Sequence, residues 1–291
     1  MPYALYPGCL ILQRMQAYEA SARLVLEAIG LPIASLEGAA CCGAPVVESF
    51  TEDWLALAAY NLALAARDRV DILTLCGSCT NTLRRARQAI RSDAGERARM
   101  AERLEPLGLA LEPLPDVHHL LQVLIDHRAQ LAAKIVRPLH GRVAATYPCQ
   151  VFRPGDVAQF DDPLRPQSLR ELAALAGVEV IRYDAEYECC GSTLLMVDES
   201  LALEVGRRKL ASAQEADVIV DACGNCQLIL ERHASALIQG DRALRRPTLF
   251  ISQLLGLALG LSPQALGVRD EVAGLLLDTD RIDSRHEDGR G

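Results

Sequence analysis

Long apolar runs, basic charge and nucleotide-binding motifs are all scarce in this sequence of 291 residues. No run of about 18 apolar residues occurs, so we expect no membrane-spanning helix. The formal net charge is −8, which argues against nonspecific binding to nucleic acid. The first residues lack the basic and apolar regions of a secretory signal, so we expect a cytoplasmic protein. Neither a G-x-G-x-x-G motif after a predicted strand nor a P-loop is present, so we expect no flavin or nucleotide in this chain.

Cysteine is abundant by contrast, because the chain contains ten of them. Thiols stay reduced in the cytoplasm, so this number indicates metal or redox chemistry rather than a disulfide framework. The cysteines form two sets with one internal order: a single cysteine, an adjacent pair and a C-x-x-C motif. The first set is Cys9, Cys41, Cys42, Cys76 and Cys79, and the second is Cys149, Cys189, Cys190, Cys223 and Cys226.

The two sets belong to an internal repeat. The second set follows the first at offsets of 140 to 148 residues, and the flanking residues recur as well. Tyr-Pro precedes both single cysteines, Gly follows both adjacent pairs, and both C-x-x-C motifs have Gly at their second position. This repeat predicts two similar halves, residues 1–135 and 136–291, with a seam near residues 128–141.

Apolar periodicity predicts strands that alternate with helices in both halves. The predicted strands are residues 3–6, 33–36, 71–75, 143–147, 178–183 and 217–220. The predicted helices are residues 15–29, 53–67, 79–90, 94–104, 117–127, 164–176, 199–214 and 226–237. This alternation predicts an α/β fold of two pseudo-symmetric halves, each a small parallel-sheet βαβ (Rossmann-like) unit. A helix that is buried or contacts a partner protein is predicted near residues 254–261, and a frayed polar tail from about residue 280.

Each cysteine group follows a predicted strand, so the groups should converge at the carboxyl edge of their sheet. The glycines beside them, Gly43, Gly77, Gly191 and Gly224, should let the backbone approach a bulky inorganic group and donate hydrogen bonds to it. Thiolate ligands suit zinc or iron–sulfur. Zinc needs four ligands and five cysteines exceed that number, whereas an adjacent pair suits a cluster of several irons. The residues favour iron–sulfur and leave open a zinc-stabilised scaffold.

Further residues carry a resemblance to a known family. They are Gly8-Cys9 followed by Arg14, the segment 37–42 that ends in Cys41-Cys42, the pair Arg165-Pro166, and the closing segment 252–260. With these features the chain resembles the B subunit of heterodisulfide reductase, in which the cysteine-rich CCG domain occurs twice. A similar type of protein serves sulfur oxidation. Related domains also occur in iron–sulfur subunits of glycolate, lactate and succinate dehydrogenases.

The resemblance implies a noncubane [4Fe-4S] cluster in each half, held by all five cysteines of its set. It further implies a catalytic subunit that cleaves or forms a disulfide, or oxidises a sulfur-bearing thiol such as lipoate-bound sulfur, between the two clusters. The partners that it implies are the ferredoxin-like C subunit together with the flavin-bearing A subunit of the same complex. The alternative function is an electron-relay subunit of a flavin-dependent dehydrogenase of the glycolate, lactate or succinate type.

Two arginines and two histidines complete the candidates. Arg14 and Arg153 follow the first cysteine of each set by five and four residues, and each is a candidate to bind a substrate carboxylate. The alternative is that both are ordinary surface arginines. His118 and His119 open the predicted helix 117–127, where we expect a place on the helix surface rather than metal ligation.

Overall fold

The first half of the chain forms one parallel sheet. The computed structural model describes residues 2–44 and 53–277. Four strands, β1 (Tyr3–Tyr6), β2 (Ala34–Ser35), β3 (Asp71–Thr74) and β4 (Val117–His119), lie in the order β2-β1-β3-β4. All neighbouring pairs are parallel. Strands β2 and β3 lie on opposite sides of β1, so the strand order changes direction at β1. The loops that follow β1 and its neighbours therefore lie around a crevice at the carboxyl edge of the sheet.

The second half repeats this sheet. Its strands are β5 (Arg142–Thr146), β6 (Glu179–Ile181), β7 (Val218–Asp221) and β8 (Thr248–Phe250), in the order β6-β5-β7-β8. The registers correspond, since the last residue of β3, Thr74, pairs with His119 and the last residue of β7, Asp221, pairs with Phe250. The predicted α/β fold with two pseudo-symmetric parallel sheets is therefore confirmed.

Helices connect the strands and cover both faces of each sheet. In the first half they are α1 (Gly8–Arg14), α2 (Gln16–Ala28), α3 (Trp54–Asp68), α4 (Gly77–Ser92), α5 (Ala94–Leu104), α6 (Leu120–Asp126) and α7 (Arg128–Lys134). In the second half they are α8 (Cys149–Phe152), α9 (Gly155–Ala158), α10 (Ser168–Leu175), α11 (Glu199–Ser212), α12 (Gly224–Gln227), α13 (Ala234–Ile238), α14 (Ile251–Ala258) and α15 (Asp270–Leu277). The predicted tail from residue 280 lies outside the described residues.

Three sequence predictions are wrong in detail. Residues 117–127 are not one helix, because Val117–His119 forms β4 and the helix begins only at Leu120. The helix predicted from residue 164 begins at Ser168, after a turn in which the Asp161 and Asp162 carboxylates accept hydrogen bonds from backbone N–H groups. The helix predicted over residues 226–237 is divided by a π-helical turn at Leu228–Arg232 and by His233.

The two halves pack through structurally equivalent helices. Helix α2 of the first half packs on α14 of the second, and α10 of the second half packs on α6 of the first. Tyr18 on α2 stacks on Phe250 at 3.8 Å between ring centroids, and its hydroxyl donates to the Ala222 carbonyl oxygen at 3.0 Å. Every residue of α14 is buried, which confirms a buried helix at this position. One apolar core therefore runs through both halves.

Candidate functional site

In the first half, the cysteines lie where the strands end. Cys9 is the second residue of α1, directly after β1, and Cys41-Cys42 lies in the loop after β2. Cys76 follows β3 as the residue preceding α4, and Cys79 lies in the first turn of that helix. Because parallel strands end at one edge of a sheet, residues far apart in the chain meet there. The predicted convergence at the carboxyl edge is confirmed for this set.

The second set occupies equivalent positions. Cys149 begins α8 after β5, and Cys189-Cys190 lies in the loop after β6. Cys223 precedes α12, and Cys226 lies within that short helix. No cysteine is in a disulfide, so all ten thiols are free.

Within the first set, the sulfur atoms form a row of neighbours. Cys42 Sγ and Cys79 Sγ lie 3.4 Å apart and are hydrogen-bonded to each other. Cys42 is also hydrogen-bonded to Cys41, and Cys79 to Cys76. Three thiols of this set are buried and two are exposed. The buried ones are Cys42, Cys76 and Cys79, and the exposed ones are Cys9 and Cys41.

The two sets meet at the C-x-x-C motifs. The thiols of Cys76 and Cys223, one from each half, are hydrogen-bonded to each other, and the Gly77 N–H donates to Cys223 Sγ at 3.4 Å. The Asn225 side-chain amide donates to Ser78 Oγ at 2.8 Å, which joins the central residues of the two motifs. The spacing of the cysteines predicts two sites, and the packing of the halves brings these two sites into contact.

The row continues through the second set. Contacts link Cys223 to Cys226, Cys226 to Cys190, Cys190 to Cys189 and Cys189 to Cys149. Nine of the ten thiols thus lie in an unbroken row of neighbours. From one end to the other they are Cys41, Cys42, Cys79, Cys76, Cys223, Cys226, Cys190, Cys189 and Cys149.

Mutual hydrogen bonding favours a thiolate at three places in this row. Bonds from Cys41 and then Cys79 lower the pKa of Cys42 to about 3. Bonds from Cys149 and then Cys190 lower the pKa of Cys189 to about 2. The pKa of Cys76 is held well below its ordinary value by bonds from Cys223 and Cys79. Thiolate is the form of cysteine that binds metal and attacks sulfur, so one charge is favoured in each half and one at the interface.

Glycines after the adjacent pairs shape the two loops. Gly43 and Gly191 have φ values of +88° and +89°, a region that side chains disfavour. This conformation turns the Gly43 N–H to Cys41 Sγ at 3.5 Å and the Gly191 N–H to Cys189 Sγ at 3.3 Å. With the Gly77 contact, three of the four predicted glycines donate to cysteine sulfur. Gly224 instead meets the first half, where an added Cβ would lie 2.8 Å from Ile11 Cδ1.

The two sets differ in their access to solvent. Cys9 and Cys41 border an open cavity of about 390 Å³, whose walls include the loop 35–40 and the side of α1. Their equivalents Cys149 and Cys189 are half-buried. The second half has a cluster of aromatic rings here, in which Tyr147 contacts Phe152 edge-on and Tyr187 at a tilt. A small molecule in solution therefore reaches the first set more easily.

The two candidate arginines lie in different surroundings. Arg14 borders a separate cavity of about 420 Å³ together with Arg232 and Arg269, and none of the residues that line this cavity is a cysteine. Arg153 donates to the carbonyl oxygens of Pro163 at 2.6 Å and Tyr187 at 3.3 Å, so its guanidinium ties two loops together. Their binding of a carboxylate remains a prediction.

Two residues beside the cysteines were not found from the sequence, and a third was assigned the wrong position. Asn61 and Lys209 are buried and hold the loops of the adjacent pairs. His119 is fully buried at the end of β4, which corrects its expected place on a helix surface. Its Nδ1 accepts from the Leu121 N–H at 3.1 Å and caps α6, and burial lowers its pKa to about 4. The internal repeat offered a signal for two of them, since Asn61 and Lys209 occupy matching positions.

The donor set decides which inorganic group the site fits. Within residues 2–44 and 53–277, no group of three or more His, Cys, Asp or Glu side chains is arranged to hold a metal ion. The thiols are hydrogen-bonded to one another along the row instead. Each half has five sulfur donors, which exceeds the four ligands of one zinc ion and suits a group of several irons. Backbone N–H groups are directed at three of the ten sulfur atoms.

Fold and site together define a class of protein: two fused α/β units, each presenting five cysteines at the carboxyl edge of a parallel sheet. Comparison with known families agrees, because the cysteine-rich domain family CCG matches residues 3–84 and again residues 143–231. The chain belongs to this family, and within it to the proteins that resemble the B subunit of heterodisulfide reductase.

Three relatives illustrate the range of the family. The B subunit of the ferredoxin/F420H2-dependent CoB-CoM heterodisulfide reductase of Methanosarcina acetivorans is 32% identical over 91% of either chain. A protein of Archaeoglobus profundus, named as similar to the B subunit of heterodisulfide reductase, is 29% identical over 96% of this chain and 99% of its own. The 8-methylmenaquinol:fumarate reductase membrane anchor subunit of Wolinella succinogenes is 29% identical over 93% of this chain and 96% of its own.

A solved structure shares the fold. The crystal structure of a hypothetical protein from Helicobacter pylori superposes with a TM-score of 0.68 at 18% identity. The match covers 91% of this chain, which spans half of the length of that protein. At this identity the likeness concerns the fold alone. Among the described residues, no helix has the length and apolar character needed to cross a bilayer.

Proposed function

We propose that this chain is the iron–sulfur subunit of a heterodisulfide reductase-like complex, and that it binds one cluster with the five cysteines of each half. The observation that carries the proposal is the unbroken row of nine thiols, which leads from the open first set through the Cys76–Cys223 contact to the second set. Two complete sets that meet at the Cys76–Cys223 contact suit the transfer of two electrons to or from one sulfur substrate.

The chain's own residues prepare this chemistry. When bound, a [4Fe-4S] cluster supplies one-electron redox chemistry and iron sites that accept sulfur ligands. The low pKa values of Cys42, Cys76 and Cys189 keep ligands in the thiolate form without a base. Three directed N–H groups stabilise the negative charge that accumulates on sulfur. The resemblance implies that these clusters are of the noncubane type.

The substrate of this proposal is a disulfide or a sulfur-bearing thiol, including lipoate-bound sulfur. The cavity of about 390 Å³ beside Cys9 and Cys41 is the place where such a molecule approaches the sulfur row. Electrons are exchanged with the ferredoxin-like C subunit or with the flavin-bearing A subunit of the complex. The proposed compartment is the cytoplasm, where thiols stay reduced.

The test begins with iron and acid-labile sulfide in protein purified without oxygen. We expect about eight of each per chain, a brown colour, and paramagnetic signals that change when a thiol or disulfide is added. Stoichiometric zinc in place of iron would contradict the proposal and support the zinc-stabilised scaffold, which should unfold with a chelator.

A second function is supported by one relative. The Wolinella succinogenes protein, named as a membrane anchor subunit of a fumarate reductase, matches nearly the whole chain. An electron-relay subunit of a flavin-dependent dehydrogenase would contain the same clusters but would bind no sulfur substrate. The paramagnetic signals distinguish the two functions, because a relay subunit should give the same spectrum with and without thiols or disulfides.

A further inference from the structure

The two halves differ in charge at one matched position beside their cysteines. Asn61 on α3 and Lys209 on α11 each lie 20 residues after the first cysteine of the adjacent pair. Both side chains are buried, and both bind the backbone of the loop that carries that pair. A neutral amide in the first half is therefore replaced by an amine in the second.

Asn61 satisfies the loop of the first half without charge. Its Oδ1 accepts from the Ala40 N–H at 2.9 Å, and its Nδ2 donates to the carbonyl oxygens of Cys41 at 3.3 Å and Leu57 at 2.9 Å. Donors and acceptors balance in this arrangement. The amide thus fixes the loop and leaves its electrostatic potential almost unchanged.

Lys209 binds the corresponding loop with three donors. Its Nζ donates to the carbonyl oxygens of Ala185 at 2.6 Å, Glu186 at 3.3 Å and Glu188 at 2.9 Å. Only the ammonium form of lysine has three N–H donors, so the geometry is that of a charged group. The side chain is 1% exposed, and its Nζ lies 5.6 Å from the centre of the Tyr183 ring, whose face favours a cation.

The charge of Lys209 has no carboxylate partner among the described residues. The Glu188 carboxylate forms an ion pair with Arg208, and Glu186 is paired with Arg170 and Arg182. Burial lowers the pKa of Lys209, whereas negative charge on the nearby Cys226, Cys190, Cys189 and Glu188 side chains raises it. A cation that lacks a counter-ion in a medium of low dielectric constant acts strongly on the sulfur ligands around it.

We propose that Lys209 raises the reduction potential of the centre held by the second cysteine set, and that Asn61 leaves the first centre without this effect. The proposal rests on the iron–sulfur function proposed above. A reduced centre has one more negative charge than an oxidised one, so a buried cation beside it favours the reduced state. Lys209 is a positioning residue in this proposal, since it acts through the loop and its charge and need not touch the substrate.

The test compares Lys209→Gln with Lys134→Gln, the exposed lysine of α7 and the chain's other lysine. Iron and sulfide of the wild-type protein are measured first, because their absence would overturn the proposed function before any variant is made. Potentials of both centres are then measured by redox titration monitored by paramagnetic resonance. A Cys190→Ala protein shows which signal belongs to the second half.

We expect Lys209→Gln to lower the ratio of reduced to oxidised second centre about tenfold at a fixed potential, which is about 59 mV for one electron. The first centre and the Lys134→Gln protein should keep wild-type potentials, and Lys209→Arg should retain the raised potential. Full iron content with unchanged potentials in Lys209→Gln would overturn the proposal. Equal shifts of both centres would overturn it as well.

A second variant decides the matter if Lys209→Gln loses the iron of its half. Asn61→Lys places a positive charge at the matched position of the first half, and its ammonium group can donate to the carbonyl oxygens of Cys41 and Leu57 that the Asn61 amide binds. We expect the first centre to become easier to reduce while the second keeps its potential. An unchanged first centre would show that charge at this position has no influence, and the proposal would then be wrong.

Discussion

The two halves of this protein share one backbone plan and differ in the side chains that control access, charge and proton binding. The first half exposes Cys9 and Cys41 to a cavity, whereas the second half buries their equivalents more deeply. A neutral Asn61 corresponds to the charged Lys209. Every cysteine position of one half has its equivalent in the other, so the differences lie in what surrounds the cysteines.

This comparison shows how a duplicated unit can hold two unequal sites. Packing through equivalent helices brings the C-x-x-C motifs together and makes Cys76 and Cys223 neighbours. The Cys76–Cys223 contact keeps the two sites close together. The residues farther from this contact give each site its own exposure to solvent and its own charge.

The largest expected effect comes from removing one ligand in each half. Cys42→Ala and Cys190→Ala each remove a buried thiol that one other cysteine separates from the Cys76–Cys223 contact. Because each half has its own five ligands, we expect each variant to retain about half of the wild-type iron. The measurement is iron and sulfide per chain after anaerobic purification.

The exposed Ser92→Ala variant is the control and should retain all of the iron. Complete loss of iron in either cysteine variant would contradict the view that each half has its own site. The halves would then form one cooperative site instead of two sites that meet at the Cys76–Cys223 contact.

The second effect concerns the glycines that follow the adjacent pairs. A Cβ at Gly191 would lie 2.6 Å from the Ala202 carbonyl oxygen, and one at Gly43 would lie 3.0 Å from the Trp54 carbonyl oxygen. We expect Gly191→Ala to destabilise the fold by about 2–4 kcal/mol, since it combines a strained φ with a backbone clash. Gly43→Ala should cost less, because its neighbour must move by a smaller distance.

Gly240→Ala separates strain from clash. Gly240 has a similar φ of +86° but no atom within 4 Å of an added Cβ. Its variant should lose only about 1 kcal/mol. Unfolding free energies or melting temperatures of the three variants provide the measurement, and a larger loss for Gly43→Ala than for Gly191→Ala would reverse the predicted order.

Most of the fold follows from local patterns in the sequence. Six of the eight strands among the described residues coincide with strands predicted from apolar patterns, and the cysteine repeat indicates their duplication. Strands β4 and β8 were missed because each leads directly into a helix, α6 at Leu120 and α14 at Ile251, and no turn separates strand from helix. Their pairing with β3 and β7 is a tertiary effect, and it decides that Val117–His119 becomes a strand instead of the first turn of a helix.

The site was predictable as far as topology determines it. Parallel strands bring Cys9, Cys41 and Cys76 to one edge, and this needs no knowledge of side-chain packing. The Cys76–Cys223 contact depends on how the halves dock, which the repeat alone does not determine. The place of Lys209 beside the loop of the second pair depends likewise on the packing of α11.

The smallest expected effect is a pH dependence that belongs to the first half. His119 and Phe250 end equivalent strands, so only the first half has a titratable residue at this position. The pKa of folded His119 is about 4 against an ordinary 6.5, and burial is the main cause. As the pH falls, His119 therefore takes up a proton in the unfolded chain before it does so in the folded protein. Its contribution to stability is fully present above pH 6.5 and is lost as the pH falls toward 4. Between pH 7 and 5 the loss amounts to about 2 kcal/mol.

His119→Asn should remove this dependence and keep the cap, because an Asn side chain can accept from the Leu121 N–H as the imidazole does. Melting temperatures of wild type and variant, matched in iron content, are compared at pH 7 and pH 5. We expect the difference between the two pH values to shrink by about 3 °C or more in the variant. Parallel losses in both proteins would assign the acid sensitivity to groups that the halves share, such as the thiolates. If the melting temperature of His119→Asn falls less between pH 7 and pH 5 than that of wild type, the proton-sensitive residue belongs to the first half, whose cysteines face the open cavity.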